Sequence, residues 1–213
     1  MKSLGKRLLS RLFANCAHPR GTWGRVMLRM MNRGHGRVYR WVMDTCPFAD
    51  GMRVLDVGCG GGGAARALRM RFPAMRVDGV DISEESINMA RKVAGAGGEF
   101  RVATADALPF ADASHDAAIS IESVYFWPDL LAGLREMRRV VRPGGFAAAA
   151  VECVDPEKSQ VWTDLVGPGM HVRTAVELAS AFREVGFAGV AAKVDPKSGI
   201  ACVFGRNDGG GGL

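Results

Sequence analysis

V-L-D-V-G-C-G-G-G-G, Val54–Gly63, is the stretch whose reading decides the fold. Its apolar start reads as a short buried strand over Arg53–Val57, Gly58–Gly63 reads as a turn, and the Ala- and Leu-containing run Ala64–Arg71 reads as a helix. Glycines let a backbone approach a ligand closely, and a helix start offers unpaired N–H groups and a positive dipole end. Strand, glycine turn and helix in that order therefore form a ligand-binding device. The spacing Gly58-x-Gly60-x-x-Gly63 also satisfies a dinucleotide fingerprint, so the turn alone does not choose its ligand.

Working outward, the same alternation continues. Strands are expected at Arg76–Val80, Glu99–Ala103, Ala117–Ile121 and Phe146–Cys153. Helices are expected from a Ser83 cap to about Ala94, over Asp129–Val141 up to Pro143-Gly144-Gly145, and from a Thr174 cap to about Val185. Val190–Val194 and Ile200–Phe204 complete seven strands as an antiparallel pair joined through Pro196–Gly199. Alternating strand and helix implies a doubly wound, mostly parallel α/β sheet covered on both faces. Residues 154–171 have no clear periodicity and read as a long loop on the carboxyl edge of the sheet, where ligands bind in this architecture.

Three acids near the turn separate the candidate ligands. Asp56, two residues before Gly58, suits a cationic amine and opposes a pyrophosphate, since like charges in a cleft of low dielectric repel. S-adenosylmethionine has an ammonium, a carboxylate and no phosphate. Asp81 lies 21 residues after Gly60, near the spacing at which an acid grips ribose hydroxyls, whereas Asp78 within the strand points elsewhere. Asp106 with Ala107 follows the third strand and suits an adenine amino group, and Ile82 suits the adenine face.

V-L-D-V-G-C-G-G-G-G, G-V-D-I-S at Gly79–Ser83, A-D-A-L-P-F-A-D at Ala105–Asp112 and L-R-E-M-R-R-V-V-R-P-G-G at Leu134–Gly145 together resemble the class I S-adenosylmethionine-dependent methyltransferases, over roughly residues 50–152. The likeness is strongest to the quinone and sterol C-methyltransferase branch. It implies a Rossmann-like fold and a cofactor site in which Asp56, Gly58, Cys59 and Gly60 line the methionine end. It further implies that Asp81 and Ile82 meet the nucleoside, Asp106 and Ala107 the adenine, and that Glu122 stands beside both cofactor and acceptor. Gly61, Gly62 and Gly63 exceed what that pattern needs. N-R-G-H-G-R-V-Y-R-W at Asn32–Trp41 and Y-F-W-P-D at Tyr125–Asp129 are similar to a bacterial subgroup of this family without an assigned acceptor.

The implied reaction is in-line displacement at the sulfonium methyl, in which alignment at about 3 Å and exclusion of water are the protein's main tasks. Glu122, His35 and Tyr125 are the acceptor-side candidates, and Tyr39, Phe126 and Trp127 are able to wall an apolar or aromatic small molecule. Each also has a plainer reading: His35 as a capping residue, the aromatic trio as packing, Glu122 as a cofactor contact. His115 precedes strand four on the far edge and reads as structural, and His171 lies in the loop over the site. Met27, Met30, Met31 and Met43 suit gap-filling between helices.

Charge is distributed unevenly. Residues 1–43 contain ten Lys or Arg and no acid, and the remainder is net acidic. Leu4, Leu8, Leu12 and Phe13 recur at helical spacing among those bases, a pattern that suits a helical lid, an anionic membrane surface or an organelle transit peptide. The expected organisation is a basic helical lid over 1–45, the cofactor domain over 46–206 and a disordered glycine-rich tail over 207–213. Five scattered cysteines without a C-x-x-C pair suggest neither disulfides nor a metal site, and point to a cytoplasmic home. No apolar stretch reaches the roughly 18 residues of a spanning helix. The basic residues are confined to the head, which argues against nucleic acid as acceptor. A nicotinamide-dependent oxidoreductase and a non-catalytic, membrane-associated binding module are the alternatives, and the oligomeric state is left open.

Overall fold

The computed structural model describes residues 13, 15–152, 155, 157, 159–167 and 169–210. The expected amphipathic spacing of Leu4, Leu8 and Leu12 lies outside them. Two helices come first, α1 (Gly21–Gly34) and α2 (Gly36–Thr45). Then follow β1 (Arg53–Val57), α3 (Gly63–Arg71), β2 (Arg76–Asp81), α4 (Glu84–Ala94), β3 (Phe100–Val102) and β4 (His115–Ile121). A single 3-10 turn at Val124–Phe126 leads to α5 (Leu130–Val140), β5 (Val141–Val151), α6 (Gln160–Val166), α7 (Ala175–Glu184), β6 (Ala188–Val194) and β7 (Ala201–Arg206).

The seven strands form one sheet in the order β3-β2-β1-β4-β5-β7-β6, parallel except for β7, which runs antiparallel to both β5 and β6. From β1 the chain winds outward to β2 and β3, then returns to pair β4 on the other side of β1. That reversal opens a crevice at the carboxyl ends of β1 and β4, where ligands bind in open α/β sheets.

Two apolar layers cover the sheet. In β5 the alternation is strict: Ala147, Ala149 and Val151 join the layer containing Leu134 and Phe182, while Phe146, Ala148 and Ala150 join the layer containing Leu68 and Ile87. Runs of alanine on a central strand let the helices pack close, and each fully buried Leu or Phe in those layers contributes roughly 1.5–3 kcal/mol. Among the described residues, three helix starts carry side-chain caps. Ser83 Oγ accepts from the Ser86 N–H, Asp129 Oδ1 from the Ala132 N–H, and Thr174 with Glu177 forms a reciprocal capping box.

Three boundaries differ from expectation. The helix before Pro143 stops at Val140, and the strand begins at once at Val141. Pro143, having no N–H for a ladder bond, is accommodated in an irregularity: Val141 pairs with His115, and the next partners are Phe146 and Ala117. The loop expected over 154–171 contains α6, a helix that buries none of its residues and so leaves no apolar stripe in the sequence. The tail is ordered further than expected. Asn207 is buried, and its Nδ2 donates to the Val141 carbonyl at 2.7 Å and the Arg138 carbonyl at 3.2 Å. Residues 211–213 lie outside the described residues. No described helix is long and apolar enough to cross a membrane.

Candidate active site

The crevice between β1 and β4 holds a cavity of about 270 Å³, and the glycine turn forms one wall. Gly58, Gly60 and Gly62 all have left-handed φ, at +78°, +50° and +78°. The Gly58 and Cys59 N–H groups both donate to the Val80 carbonyl, at 2.8 and 2.9 Å, which folds the turn back over β2. A Cβ on Gly58 would stand 1.8 Å from Ser123 Oγ, so this position admits no side chain.

The apparently surplus glycines are each needed. A Cβ at Gly61 would fall 2.8 Å from Asn32 Nδ2, one at Gly62 2.8 Å from Ala90 Cα, and one at Gly63 2.6 Å from the Tyr39 hydroxyl. Helices α1, α2 and α4 thus press directly on the turn, and Asn32 Nδ2 donates to the Gly61 carbonyl at 2.9 Å. The N-R-G-H-G-R-V-Y-R-W stretch begins at Asn32 but carried no role for it, because its partner is a backbone carbonyl 29 residues away. The N-terminal segment is also tied to the crevice through Ser83, whose hydroxyl donates to the Pro19 carbonyl at 2.5 Å.

Acids dominate the electrostatics. Asp56 is 1% exposed, its Oδ2 has no hydrogen-bond partner among the described residues, and burial, followed by the charge of Asp81, pushes its carboxyl up to about 7. Asp81 accepts the Gly60 N–H at 3.0 Å and the Ser83 N–H at 2.9 Å, yet burial outweighs these bonds and keeps its carboxyl above the ordinary range. Cys59 is buried beside both acids and its thiol is raised, the opposite of an activated nucleophile. Ile82, Thr104, Ala105 and Asp106 line the same cavity, and Ile82 is 43% exposed into it. Ala107 does not line it: its N–H turns back to the Thr104 carbonyl at 3.3 Å, so Ala105 takes the lining position expected for it.

The opposite wall is built from β4 and the N-terminal helices. Glu122 follows β4 with φ +57°, a strained conformation for a non-glycine residue that swings its side chain into the cavity. Its Oε1 accepts the Glu152 N–H at 2.5 Å and the Tyr125 hydroxyl at 3.3 Å, while burial, then the Glu152 charge, pushes the carboxyl up to about 8. Tyr125 is therefore behind Glu122 and not on the cavity surface, contrary to its expected place at the acceptor. Its neighbours Phe126 and Trp127 do line the cavity, with Trp127 Nε1 donating to Ser123 Oγ at 3.0 Å.

His35 lines the cavity, edge-on to Tyr39 with centroids 6.3 Å apart, and burial lowers its imidazole from the ordinary value. Ligand atoms of His35, Glu122 and Glu152 lie within 4.8 Å of one another, close enough to share a cation. Of the four methionines, Met31 lines the cavity, Met27 is buried, Met43 packs on the core and Met30 is half exposed. His171 lies outside the cavity lining; its N–H donates to the Tyr125 carbonyl at 2.8 Å. His115 and Asp78 belong to a buried structural network below β1. Asp78 accepts from Arg53, Arg76, His115 and the Glu99 N–H; the bonds from His115, Glu99 and Arg53 overcome burial and hold its carboxyl well below the ordinary range.

A wall of several raised carboxyls with a buried oxygen left without a partner among the described residues is short of one thing, a cation. A ligand bearing an ammonium and a sulfonium fits it, and a pyrophosphate does not.

Comparison with known proteins agrees with this chemistry. Residues 55–149 match the methyltransferase domain family. A fatty-acid O-methyltransferase of Mycolicibacterium smegmatis is 41% identical over 98 residues, 46% of this chain and 36% of that protein. A 2-methyl-6-phytyl-1,4-hydroquinone methyltransferase of Synechocystis sp. is 37% identical over 110 residues, 51% of this chain and 34% of that protein. The chain thus spans about a third of the length of these two relatives. Among solved structures, the protein complexed with the Haloferax volcanii Trm112 methyltransferase activator superposes with a TM-score of 0.76 at 26% identity, over 84% of this chain and 93% of its own. The fold is that of the class I methyltransferases, and S-adenosylmethionine is the cofactor that goes with the domain.

Proposed function

We infer, from the methyltransferase domain that this chain carries, an enzyme that methylates a small apolar or aromatic acceptor. The observation that carries the reading is Asp56 Oδ2, buried without a partner among the described residues, beside a glycine turn in an acid-lined cleft. Bound S-adenosylmethionine supplies the electrophilic methyl group. Asp56, Gly58 and Gly60 would hold its methionine end, Asp81 the ribose hydroxyls, and Ile82, Ala105 and Asp106 the adenine.

On the acceptor side, Phe126, Trp127, Leu28 and Met31 offer an apolar wall that excludes water. The names of the two relatives, a fatty-acid and a hydroquinone methyltransferase, support an acceptor of that character. Glu122 takes the acceptor's proton, with His35 beside it, and Tyr125 positions Glu122 through its hydroxyl. Residues 1–45 serve as a lid, in keeping with the hold of Asn32 and Tyr39 on the glycine turn, and 46–206 form the catalytic body. The basic head contacts anionic membrane surfaces. Five scattered cysteines without a C-x-x-C pair suit a reducing, cytoplasmic setting.

Isothermal titration with S-adenosylmethionine tests the reading, and absence of binding at about 100 μM, some −5.5 kcal/mol, overturns it. Asp81→Ala should weaken binding by roughly 1.5–3 kcal/mol for a lost charge-assisted bond, and unchanged affinity removes its role.

A further inference from the structure

A second hollow lies behind α1, away from the acceptor wall. It is a groove of about 530 Å³ between α1, α3 and α4, and it shares Asn32 and Tyr39 with the cleft. Arg25, Arg29 and Arg33 repeat every four residues along α1 and therefore share a face. Arg66 enters the groove from α3 and Lys92 from α4. Glu85 is the acid in its lining, and it is taken: Arg25 Nη1 donates to both its oxygens, at 3.1 and 3.2 Å. Arg29, Arg33, Arg66 and Lys92 have no ion-pair partner among the described residues.

Three contacts hold these helices around that charge. Asn32 ties α1 to the start of α3, Gly62 brings the α3 start within Cβ-excluding reach of Ala90 on α4, and the Arg25–Glu85 pair ties α1 to α4. Four cations held in a concave surface focus a positive potential. Between them the floor is apolar, with Met89 and Val93 from α4. A single carboxylate would satisfy one guanidinium fork, whereas a phosphate presents enough oxygens for several.

We propose that this groove binds a phosphate-bearing ligand, either a free phosphorylated small molecule or a lipid headgroup whose apolar body meets Met89 and Val93. Its place next to the glycine turn is distinct from the acceptor wall, so the proposal is independent of which acceptor the cleft takes.

Two probes test it on the full chain: inorganic pyrophosphate by calorimetric titration, and sedimentation with phosphatidylcholine vesicles with and without phosphatidic acid. Pyrophosphate binding supports a free phosphate ligand, and binding only to vesicles with phosphatidic acid supports a lipid headgroup. In either case Arg29→Glu/Arg66→Glu should weaken binding by at least about tenfold, and Arg183→Glu on the exposed end of α7 should not. If the reversal disturbs folding, Arg29→Gln/Arg66→Gln keeps helix propensity and should still weaken binding several-fold. Failure of both probes to bind, equal binding by the charge-reversed protein, or an equal loss in the Arg183 control overturns the proposal. S-adenosylmethionine titration on the same variants reads the cleft separately and should be unchanged.

Discussion

Replacing Asp56 by asparagine separates what this residue does for the fold from what it does for the ligand. Its carboxyl is raised from 3.8 to about 7, chiefly by burial and then by Asp81. At about 1.36 kcal/mol for each tenfold change, the ionised form is disfavoured by roughly 4 kcal/mol in the folded state. The folded chain keeps its proton where the unfolded chain has lost it, so stability falls as pH rises from about 3.8 to about 7 and is flat above that. An asparagine side chain cannot ionise, so the Asp56→Asn variant escapes this loss. Its own cost, an amide imperfectly bonded in the same place, is independent of pH and cancels when two pH values are compared. Between pH 5 and pH 8 the variant should therefore gain about 3 kcal/mol relative to the parent, or roughly 6–12 °C in Tm for a domain of this size. Chemical denaturation at both pH values, without ligand, measures it. The same variant should bind S-adenosylmethionine more weakly at pH 8, because the ligand's cation has lost its counter-charge. A stability difference that does not change between pH 5 and pH 8 would refute the account of Asp56 as an unpaired buried acid.

Glu122, held up to about 8, is mostly protonated at neutral pH, so a base at this position should make the rate climb about tenfold per pH unit below 8 and level off above it. Glu122→Gln should flatten that profile and lower kcat on the order of a hundredfold while leaving S-adenosylmethionine affinity within a few-fold, read by steady-state kinetics and titration together. Gly62→Ala combines a left-handed φ with a Cβ 2.8 Å from the Ala90 backbone, and should cost about 2–5 kcal/mol in denaturant unfolding. Gly60→Ala, where the nearest atom is 3.8 Å away, should cost only the backbone strain of about 1–2 kcal/mol. Asp78 is depressed, so its contribution is present above the ordinary carboxylate range and is lost as pH falls below about 4. Asp78→Asn should then be destabilised at pH 7 and approach the parent at the lowest pH at which both fold, as followed by circular dichroism.

What the sequence disclosed and what it withheld follow from the range of the interactions involved. Strand, turn and helix around Val54–Gly63 were legible because the pattern is local, and Asp81 was legible because a strand end at a fixed distance from the turn must face the same crevice. Ala107 and Tyr125 were placed by neighbourhood alone. One residue of drift along an irregular segment rotates a side chain away, which is what happened at Ala107, and Tyr125 lies one layer behind its partner Glu122. The need for Gly61, Gly62 and Gly63 was hidden for a different reason. The atoms that exclude a Cβ there come from Asn32, Tyr39 and Ala90, and only tertiary packing brings them to the turn. Helix α6 escaped notice because a helix that buries nothing writes no period into its residues.

The contact of Asn32 and Tyr39 with the glycine turn bears on how such a domain diversifies. The family match runs over 55–149, and the helices at Gly21–Thr45 precede it, so under the lid role proposed for them they are the cassette to exchange when a new acceptor is to be recognised. Here the cassette is not neutral toward the methyl donor. A grafted segment with a bulkier residue at 32 or 39 would collide with Gly61 or Gly63 and reshape the wall that faces the cofactor. Under the proposed lid role, acceptor range and donor affinity would be inherited together, and chimeras that keep only the helical register of the first 45 residues should fail unless these two side chains travel with it.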